Sequence, residues 1–143
     1  MYSKDMLIGI ILSKFNFTLD ISVDETRKIG YRTRIIGNCF GSEEFINGVV
    51  RSLAQHGISV GADYLTSAEN TRKNTSYISI SQIDQLSKLI SLTPNIPNAK
   101  NDLELLREAI LLVKDKKHLT LDGLERLISI KEMRNYGINN NEQ

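Results

Sequence analysis

A strict alternation of apolar and polar residues between positions 15 and 24 constrains the fold of this chain more than any other feature. The two sets are Phe15, Phe17, Leu19, Ile21 and Val23 against Asn16, Thr18, Asp20, Ser22 and Asp24. A period of two places successive side chains on opposite faces of a strand. The segment is therefore predicted to be a β-strand with one face in a core and the other in solvent.

A second strand is predicted after a charged turn at residues 24–30. In residues 31–38 the faces carry Arg32 and Arg34 on one side and Tyr31, Thr33 and Ile35 on the other. Two alternating segments joined by a short polar turn are typical of an antiparallel hairpin. The hairpin would present both arginines on one face.

The segment that precedes the first strand, residues 4–12, is apolar on most sides around Gly9. This pattern predicts a short helix that is packed on both faces, with a close approach of another helix at the glycine. Such a helix is unusual for a protein surface, so we expect it to have a partner.

A helix is predicted to follow Ser42, because this residue is a typical N-cap and Glu43 and Glu44 suit the first turn. Gly57 would end the helix. Its core face would carry Phe45, Ile46, Val49, Val50 and Leu53.

Two further strands are predicted, at residues 58–65 and 75–80, on either side of the polar segment 66–74. Ser81 would cap the helix that follows, and Pro94 would end it. The element order up to this point is α-β-β-α-β-β-α. It predicts an α/β (α+β) fold with a four-stranded antiparallel sheet.

The rest of the chain is predicted to be helical. A strong helical period runs through residues 98–116, and Thr120 would cap a last helix that ends before Gly137. The expected organisation is a single domain over residues 1–137 and a disordered tail over residues 138–143.

Composition excludes several classes of function. At 143 residues, 41% of them hydrophobic, the chain has the size and composition of one soluble domain, and no apolar run approaches the roughly 20 residues of a membrane span. Lys and Arg number 18 against 17 Asp and Glu, so net charge neither supports nor excludes nucleic acid. Cys39 has no second cysteine to pair with, and His56 and His118 are too far apart for a zinc-ligand spacing.

The same composition bears on localisation. A lone cysteine fits a reducing compartment, and no cleavable secretory signal is recognisable at the start of the chain. Abundant Ile, Asn and Lys is what an A/T-rich genome encodes. The expected place is intracellular, in the cytoplasm or in the matrix of an organelle such as a mitochondrion or chloroplast, with no membrane partner.

Three segments resemble the LAGLIDADG homing endonucleases, and together they cover almost the whole chain. Residues 7–17 (LIGIILSKFNF) resemble the signature helix and first strand of that family. Residues 77–90 (YISISQIDQLSKLI) resemble its strand-then-helix segment. Residues 101–135 (NDLELLREAILLVKDKKHLTLDGLERLISIKEMRN) resemble the C-terminal segment of fungal and organellar members, with Gly123 at a matching position. The resemblance implies a four-stranded saddle-shaped sheet with C-terminal helices.

In that family the signature helix pairs with its twin across a two-fold or pseudo-two-fold axis, and Gly9 matches the small residue that permits the approach. For a chain without an internal repeat the resemblance implies a homodimer and a pseudo-palindromic target. A heterologous protein partner through the same helix is the other possibility. The expected contact residues are Met6, Leu7, Gly9, Ile10 and Leu12.

Two departures from the family pattern argue against catalysis. Family enzymes carry a metal-binding acid at the end of the signature helix, where this chain has Lys14. A protonated lysine cannot coordinate a divalent metal. The basic residue that the family has three positions before Asp102 is also missing, because Ala99 stands there and Lys100 is displaced by one. The expectation is a protein without catalytic residues, metal or cofactor.

The resemblance implies that the polar face of the sheet lies in the major groove of duplex DNA. Asp20 and Asp24 on that face would oppose phosphates, and a merely solvated sheet face would carry the same kind of residues. Lys14 is either a phosphate contact or a surface lysine. The candidate nucleic-acid-binding residues are Lys14, Asn16, Thr18, Ser22, Arg27, Lys28, Arg32, Arg34, Arg72, Lys73 and Asn74.

The remaining candidate side chains favour structural roles. Tyr64 and Tyr77 are more typical of packing between strands than of base stacking. His56 suits a helix C-terminus, and neither Cys39 nor His118 has an identifiable catalytic partner.

The function that these observations favour is a non-catalytic, nucleic-acid-binding relative of a homing endonuclease, with duplex DNA preferred over RNA. One alternative is an active, Mg²⁺-dependent endonuclease in which Asp20 or another acid replaces the lost ligand. Another is an RNA-binding role, in intron splicing or ribonucleoprotein assembly.

Overall fold

The computed structural model describes residues 2–60, 64–66, 75–94 and 103–141. The elements are α1 (Lys4–Lys14), β1 (Phe15–Val23), β2 (Tyr31–Ser42), α2 (Glu43–Gln55), β3 (Tyr64–Thr66), β4 (Thr75–Ile80), α3 (Ile83–Ser91), α4 (Leu103–Lys114), a 3-10 helix (Lys117–Leu119) and α5 (Leu121–Asn141). The predicted order α-β-β-α-β-β-α, followed by C-terminal helices, is confirmed.

The described strands form an antiparallel sheet of four strands in the order β1-β2-β4-β3. β1 and β2 pair from Phe15 opposite Cys39 to Val23 opposite Tyr31. β2 extends beyond the predicted segment 31–38 because its second half pairs with β4, as far as Ser42. The hairpin and the α+β fold class are thus confirmed.

The core lies on one face of the sheet. The apolar side chains of β1 from Phe15 to Leu19 are buried in it, whereas Ile21 is half-buried and Val23 is exposed. Helices α2 and α3 pack on the strands from that side. Gly37 stands directly opposite Phe17, and a Cβ on Gly37 would come within 2.8 Å of the Phe17 ring. Strand residues buried in the core are Phe15, Phe17, Leu19, Ile35, Cys39, Ile78 and Ile80.

Both ends of α2 follow the predicted local chemistry, and the start of α3 does not. Ser42 caps α2, since its hydroxyl accepts from the Phe45 N–H at 3.2 Å, and Gly57 adopts a φ of +75° after the helix. The prediction that Ser81 caps α3 is wrong. β4 runs to Ile80 and the helix begins only at Ile83, so Gln82 occupies the N-cap position, without a side-chain cap.

The predicted strand at residues 58–65 is only partly correct. β3 is limited to Tyr64–Thr66, and residues 58–60 do not belong to a strand. Ile58 and Val60 are nevertheless buried and Ser59 is exposed. The alternation at this point therefore reflects burial of every second side chain against the core, without strand pairing.

The last helix is longer than predicted. α5 continues through Gly137 to Asn141, so the predicted helix end before Gly137 is wrong. A glycine inside a helix costs only about 1 kcal/mol, and no proline follows. Within the described ranges, no helix combines the length and apolar character needed to cross a membrane.

α5 also covers the edge of the sheet at β1. Arg134 is buried, and its guanidinium donates to the carbonyl of Phe17 at 3.0 Å. This hydrogen bond links residues 117 positions apart in the sequence.

Candidate nucleic-acid interface

The face of β1 and β2 that points away from the core is exposed, and it collects the predicted strand residues. Because directly opposed residues of an antiparallel pair share a face, the register defines four rows across the two strands. The rows are Ser22 with Arg32, Asp20 with Arg34, Thr18 with Ile36, and Asn16 with Asn38. Asn16, Thr18, Ser22, Arg32 and Arg34 are all exposed there, as the sequence predicted.

The two strand arginines are available to bind an external anion. In the part of the chain that the structure describes, neither Arg32 nor Arg34 makes a side-chain hydrogen bond or an ion pair within 4.0 Å. Asp20 stands directly opposite Arg34. Its carboxylate therefore offsets part of the positive charge, and Arg32, opposite the neutral Ser22, is the less compensated of the two.

The hairpin turn holds its own acid. Asp24 accepts from the Thr26 hydroxyl at 2.6 Å and from the Thr26 N–H at 3.0 Å, and Arg27 lies 3.6 Å from its other oxygen. The Thr26 hydrogen bonds, helped by Arg27, lower the pKa of Asp24. The negative charge of Asp24 is thus stabilised by contacts within the turn. Arg27 and Lys28 are both exposed at the tip of the turn.

Lys14 ends α1 and is exposed at the inner end of this face, far from the turn. Lys14 immediately precedes Phe15, which pairs with Cys39 on β2. The neighbouring Cys39 is fully buried. Burial raises the pKa of the Cys39 thiol to about 11, and the positive charge of Lys14 opposes this only in part.

The residues at the end of α1 do not fit a divalent metal. An ammonium group stands at the position where the family has a carboxylate. Asp5 lies nine residues back along the helix, about 14 Å away, and Asp20 lies six residues on along the strand, about 20 Å away. Neither acid can replace a ligand there. Among the described residues, no three His, Cys, Asp or Glu side chains group to hold a metal ion.

The structure divides the predicted contact residues of α1 into two sets. Leu7 and Ile10 are 0% and 7% exposed and pack in the core of the same chain. Met6 is 52% exposed, Gly9 is exposed and Leu12 is half-buried. A Cβ on Gly9 would meet nothing within 4 Å, so no described part of the chain requires a glycine there.

An aromatic pair on the same sheet face was not predicted as a site. Phe40 is 51% exposed, and its ring centroid lies 5.7 Å from that of Tyr77 on β4, at an interplanar angle of 34°. The prediction that Tyr77 packs between strands is thus confirmed. Sequence reasoning missed Phe40 because it lies beyond residues 31–38, where the alternation is no longer clear.

Several predicted residues lie outside the described ranges. They are Arg72, Lys73 and Asn74 of the second hairpin loop, the side chain of Tyr64, and the positions Ala99, Lys100 and Asp102. Of the two histidines, His56 follows α2 as predicted. The Nδ1 atom of His118 is buried and lacks a hydrogen-bond partner among the described atoms. Burial, and then the charge of Arg27, lower its pKa.

No model of a protein family matches the chain. A curated relative, "Probable intron-encoded endonuclease 3" of Neurospora crassa, is 29% identical over 133 residues, which are 91% of this chain and 24% of that protein. The chain thus spans about a quarter of the length of this curated relative.

Solved structures resemble the chain over most of its length. The homing endonuclease I-TnaI matches with a TM-score of 0.68, 14% identity and 97% coverage of both chains. An archaeal intron-encoded homing endonuclease, I-Vdi141I complexed with DNA, has a TM-score of 0.73, 18% identity, and 94% and 82% coverage. The LAGLIDADG meganuclease I-CpaMI, bound to uncleaved DNA, has a TM-score of 0.69, 19% identity, and 92% and 45% coverage. The chain therefore has the fold of the LAGLIDADG homing endonucleases.

Proposed function

We propose that this chain binds duplex DNA along the exposed face of its sheet and does not cleave it by a metal-dependent route. The observation that carries the proposal is the pair Arg32 and Arg34, which have no side-chain partner in the described structure and lie on the uncovered face of a fold whose solved relatives include DNA complexes. An antiparallel two-stranded ribbon fits the major groove, and arginine suits both guanine edges and phosphates.

Each part of this face has a role in the proposal. The arginines and the turn residues Arg27 and Lys28 bind phosphates or guanine edges, and the row of Asn16 and Asn38 offers amides, which suit adenine. Lys14, at the inner end, binds a phosphate in place of the metal. An ammonium there neutralises the backbone but activates no water, so bound strands stay intact.

Binding is tested with purified protein, random duplex DNA and a matched duplex RNA, titrated with salt. The double variant Arg32→Ala/Arg34→Ala should bind the DNA more weakly, and its salt slope should be smaller by about 1 for each phosphate that the variant no longer binds. Arg51→Ala is the matched control, since Arg51 is exposed on α2, on the helical side of the sheet. Equally weakened binding in both variants would refute the proposed surface. A preference for RNA would refute duplex DNA as the ligand.

Cleavage is tested in the same mixtures with Mg²⁺ present, on a denaturing gel. Uncut strands are expected for the natural chain because Lys14 cannot ligate a metal. Cut strands would refute the proposal and establish the endonuclease alternative.

The proposal includes a second copy of the chain on the outward face of α1. Met6 and Gly9 are exposed there, and the absence of any described atom within 4 Å of a Cβ on Gly9 leaves room for another helix. In sedimentation, Gly9→Leu should shift the natural chain from dimer to monomer. Ala54→Leu, which adds the same side chain to an exposed site on α2, should not. A monomeric natural chain would refute this part and leave a different protein as the partner of α1.

The proposed setting is an intracellular, reducing compartment, in keeping with the buried free thiol of Cys39. The relation to an intron-encoded fungal protein supports an organelle matrix or the cytoplasm.

A further inference from the structure

The exposed ring of Phe40 lies at one end of an ordered series on β2. The residues of β2 that face outward are cationic near the turn, mixed in the middle and aromatic near α1: Arg32, Arg34, Ile36, Asn38 and Phe40. Tyr77 pairs directly with Phe40, so the two rings stand side by side on the same face. The outward face therefore combines an anion-binding end with an aromatic end.

The spacing of these groups matches an extended nucleic acid. Arg34 and Phe40 are six residues apart on one strand, about 20 Å. A strand of B-form DNA rises 3.4 Å per nucleotide, so this distance corresponds to about six nucleotides. Lys14 ends α1 immediately before Phe15, which pairs with Cys39, the residue before Phe40, and the charge of Lys14 acts on the Cys39 thiol. A cation thus lies near the aromatic pair, and Arg34 lies at the other end of this distance.

The geometry of the pair suits a planar ligand. With ring centroids 5.7 Å apart and planes tilted by 34°, the two rings contact each other at an angle and are not stacked face to face. A flat base could lie on the face of one ring and against the edge of the other, an arrangement that aromatic groups prefer. The half-exposed Phe40 supplies most of the accessible ring surface.

Resting on the proposed DNA binding, we propose that Phe40 and Tyr77 form a stacking platform for an unpaired or unstacked DNA base. In an intact duplex the faces of each base are covered by its neighbours, so the platform selects DNA that is locally opened. Stacking tolerates any base because each one has a π-face. Lys14 lies near enough to hold a phosphate beside that base, and the arginines hold phosphates about six nucleotides further along the strand.

The test compares two DNA probes of the same sequence, a fully paired duplex of about 20 base pairs and the same duplex with one central unpaired thymine. The natural chain should bind the bulged probe about tenfold more tightly, within the range of stacking energies for one base. Phe40→Leu, which keeps an apolar side chain, should abolish this preference and leave the affinity for the paired probe unchanged. Phe40→Tyr should retain the preference, and Arg51→Ala, on the helical side of the sheet, serves as the control.

The outcomes separate this inference from the proposed function. If the natural chain binds neither probe, DNA binding itself is refuted. Equal binding of both probes by the natural chain, or an equal weakening for both in Phe40→Leu, refutes the platform and leaves DNA binding intact. A change of sedimentation in Phe40→Leu without a change in base preference shows that a protein surface covers the ring, which also refutes the platform. Circular dichroism of each variant establishes that it is folded.

Discussion

Replacing Gly123 by alanine tests how the C-terminal helices are joined. A Cβ at this position would lie 1.9 Å from the carbonyl oxygen of Lys117 and 2.6 Å from its carbon. Contacts of a Cβ below 3.0 Å essentially do not occur, so the carbonyl and the first turn of α5 would have to separate by about 1.1 Å. The backbone at this site, and not a flexible side chain, must move.

The cost follows from the bonds that this movement breaks. The Lys117 carbonyl accepts from the Thr120 N–H at 3.0 Å and from the Thr120 hydroxyl at 2.7 Å. The same hydroxyl caps α5 by accepting from the Gly123 N–H at 3.1 Å. The cap contributes about 1 kcal/mol, and each hydrogen bond to the carbonyl about 1 kcal/mol. Since alanine regains about 1 kcal/mol of helix propensity, the free energy of unfolding should fall by about 2 kcal/mol.

Urea unfolding followed by circular dichroism measures this decrease. If the dependence of the unfolding free energy on urea concentration is unchanged, Gly123→Ala should lower the urea concentration at the unfolding midpoint by about 1 M. Gly9→Ala is the matched control, because it makes the same change inside a helix where the new Cβ meets nothing within 4 Å. At protein concentrations too low for self-association, Gly9→Ala should leave the midpoint unchanged or raise it by the helix propensity of alanine.

A midpoint for Gly123→Ala equal to that of Gly9→Ala would refute this reasoning. It would show that the Lys117 carbonyl can move and still keep its bonds to Thr120. The close approach of residue 123 to the Lys117 carbonyl would then not be the reason why a glycine is needed at this position.

Three further predictions concern groups outside the sheet surface. Because burial and Arg27 lower the pKa of His118, the unfolded chain takes up a proton first, so stability should fall as pH drops below the ordinary pKa of histidine. Arg27→Met should raise that pKa in an NMR titration, and an unchanged value would contradict the influence of Arg27. With its pKa raised to about 11 by burial, Cys39 should react with a disulfide reagent at pH 8 far more slowly in the folded protein than in urea, and equal rates would show it accessible. Arg134→Met removes the donor to the Phe17 carbonyl and should cost about 1.5–3 kcal/mol in urea unfolding, where an unchanged midpoint would contradict that role.

Sequence patterns correctly predicted those helices and strands whose bounds depend on residues close by in the sequence. The alternation at residues 15–24 predicted β1 almost to the residue, and Ser42 and Gly57 predicted the ends of α2, because capping and period depend on neighbours in the sequence. The same logic failed at Ile58 and Val60. Their side chains are buried alternately, yet no described strand pairs with them, and pairing is a property of distant segments.

Features fixed by tertiary contacts could not be found in the same way. Because α1 is apolar on most sides, its sequence could not tell that Leu7 faces the core while Gly9 faces out. Phe40 lies in the half of β2 that is defined by pairing with β4, beyond the segment that alternates clearly. No local signal marks Arg134 as the partner of a carbonyl 117 residues away.

The position of α5 has a consequence for solubility. β1 is an edge strand with a continuous apolar face, and an edge of this kind readily recruits another chain into its hydrogen-bonding ladder. The guanidinium on the Phe17 carbonyl occupies one of the acceptors that an incoming strand would need. Fraying of α5 before the core unfolds would free this acceptor and leave the edge of β1 more open to pairing with another chain.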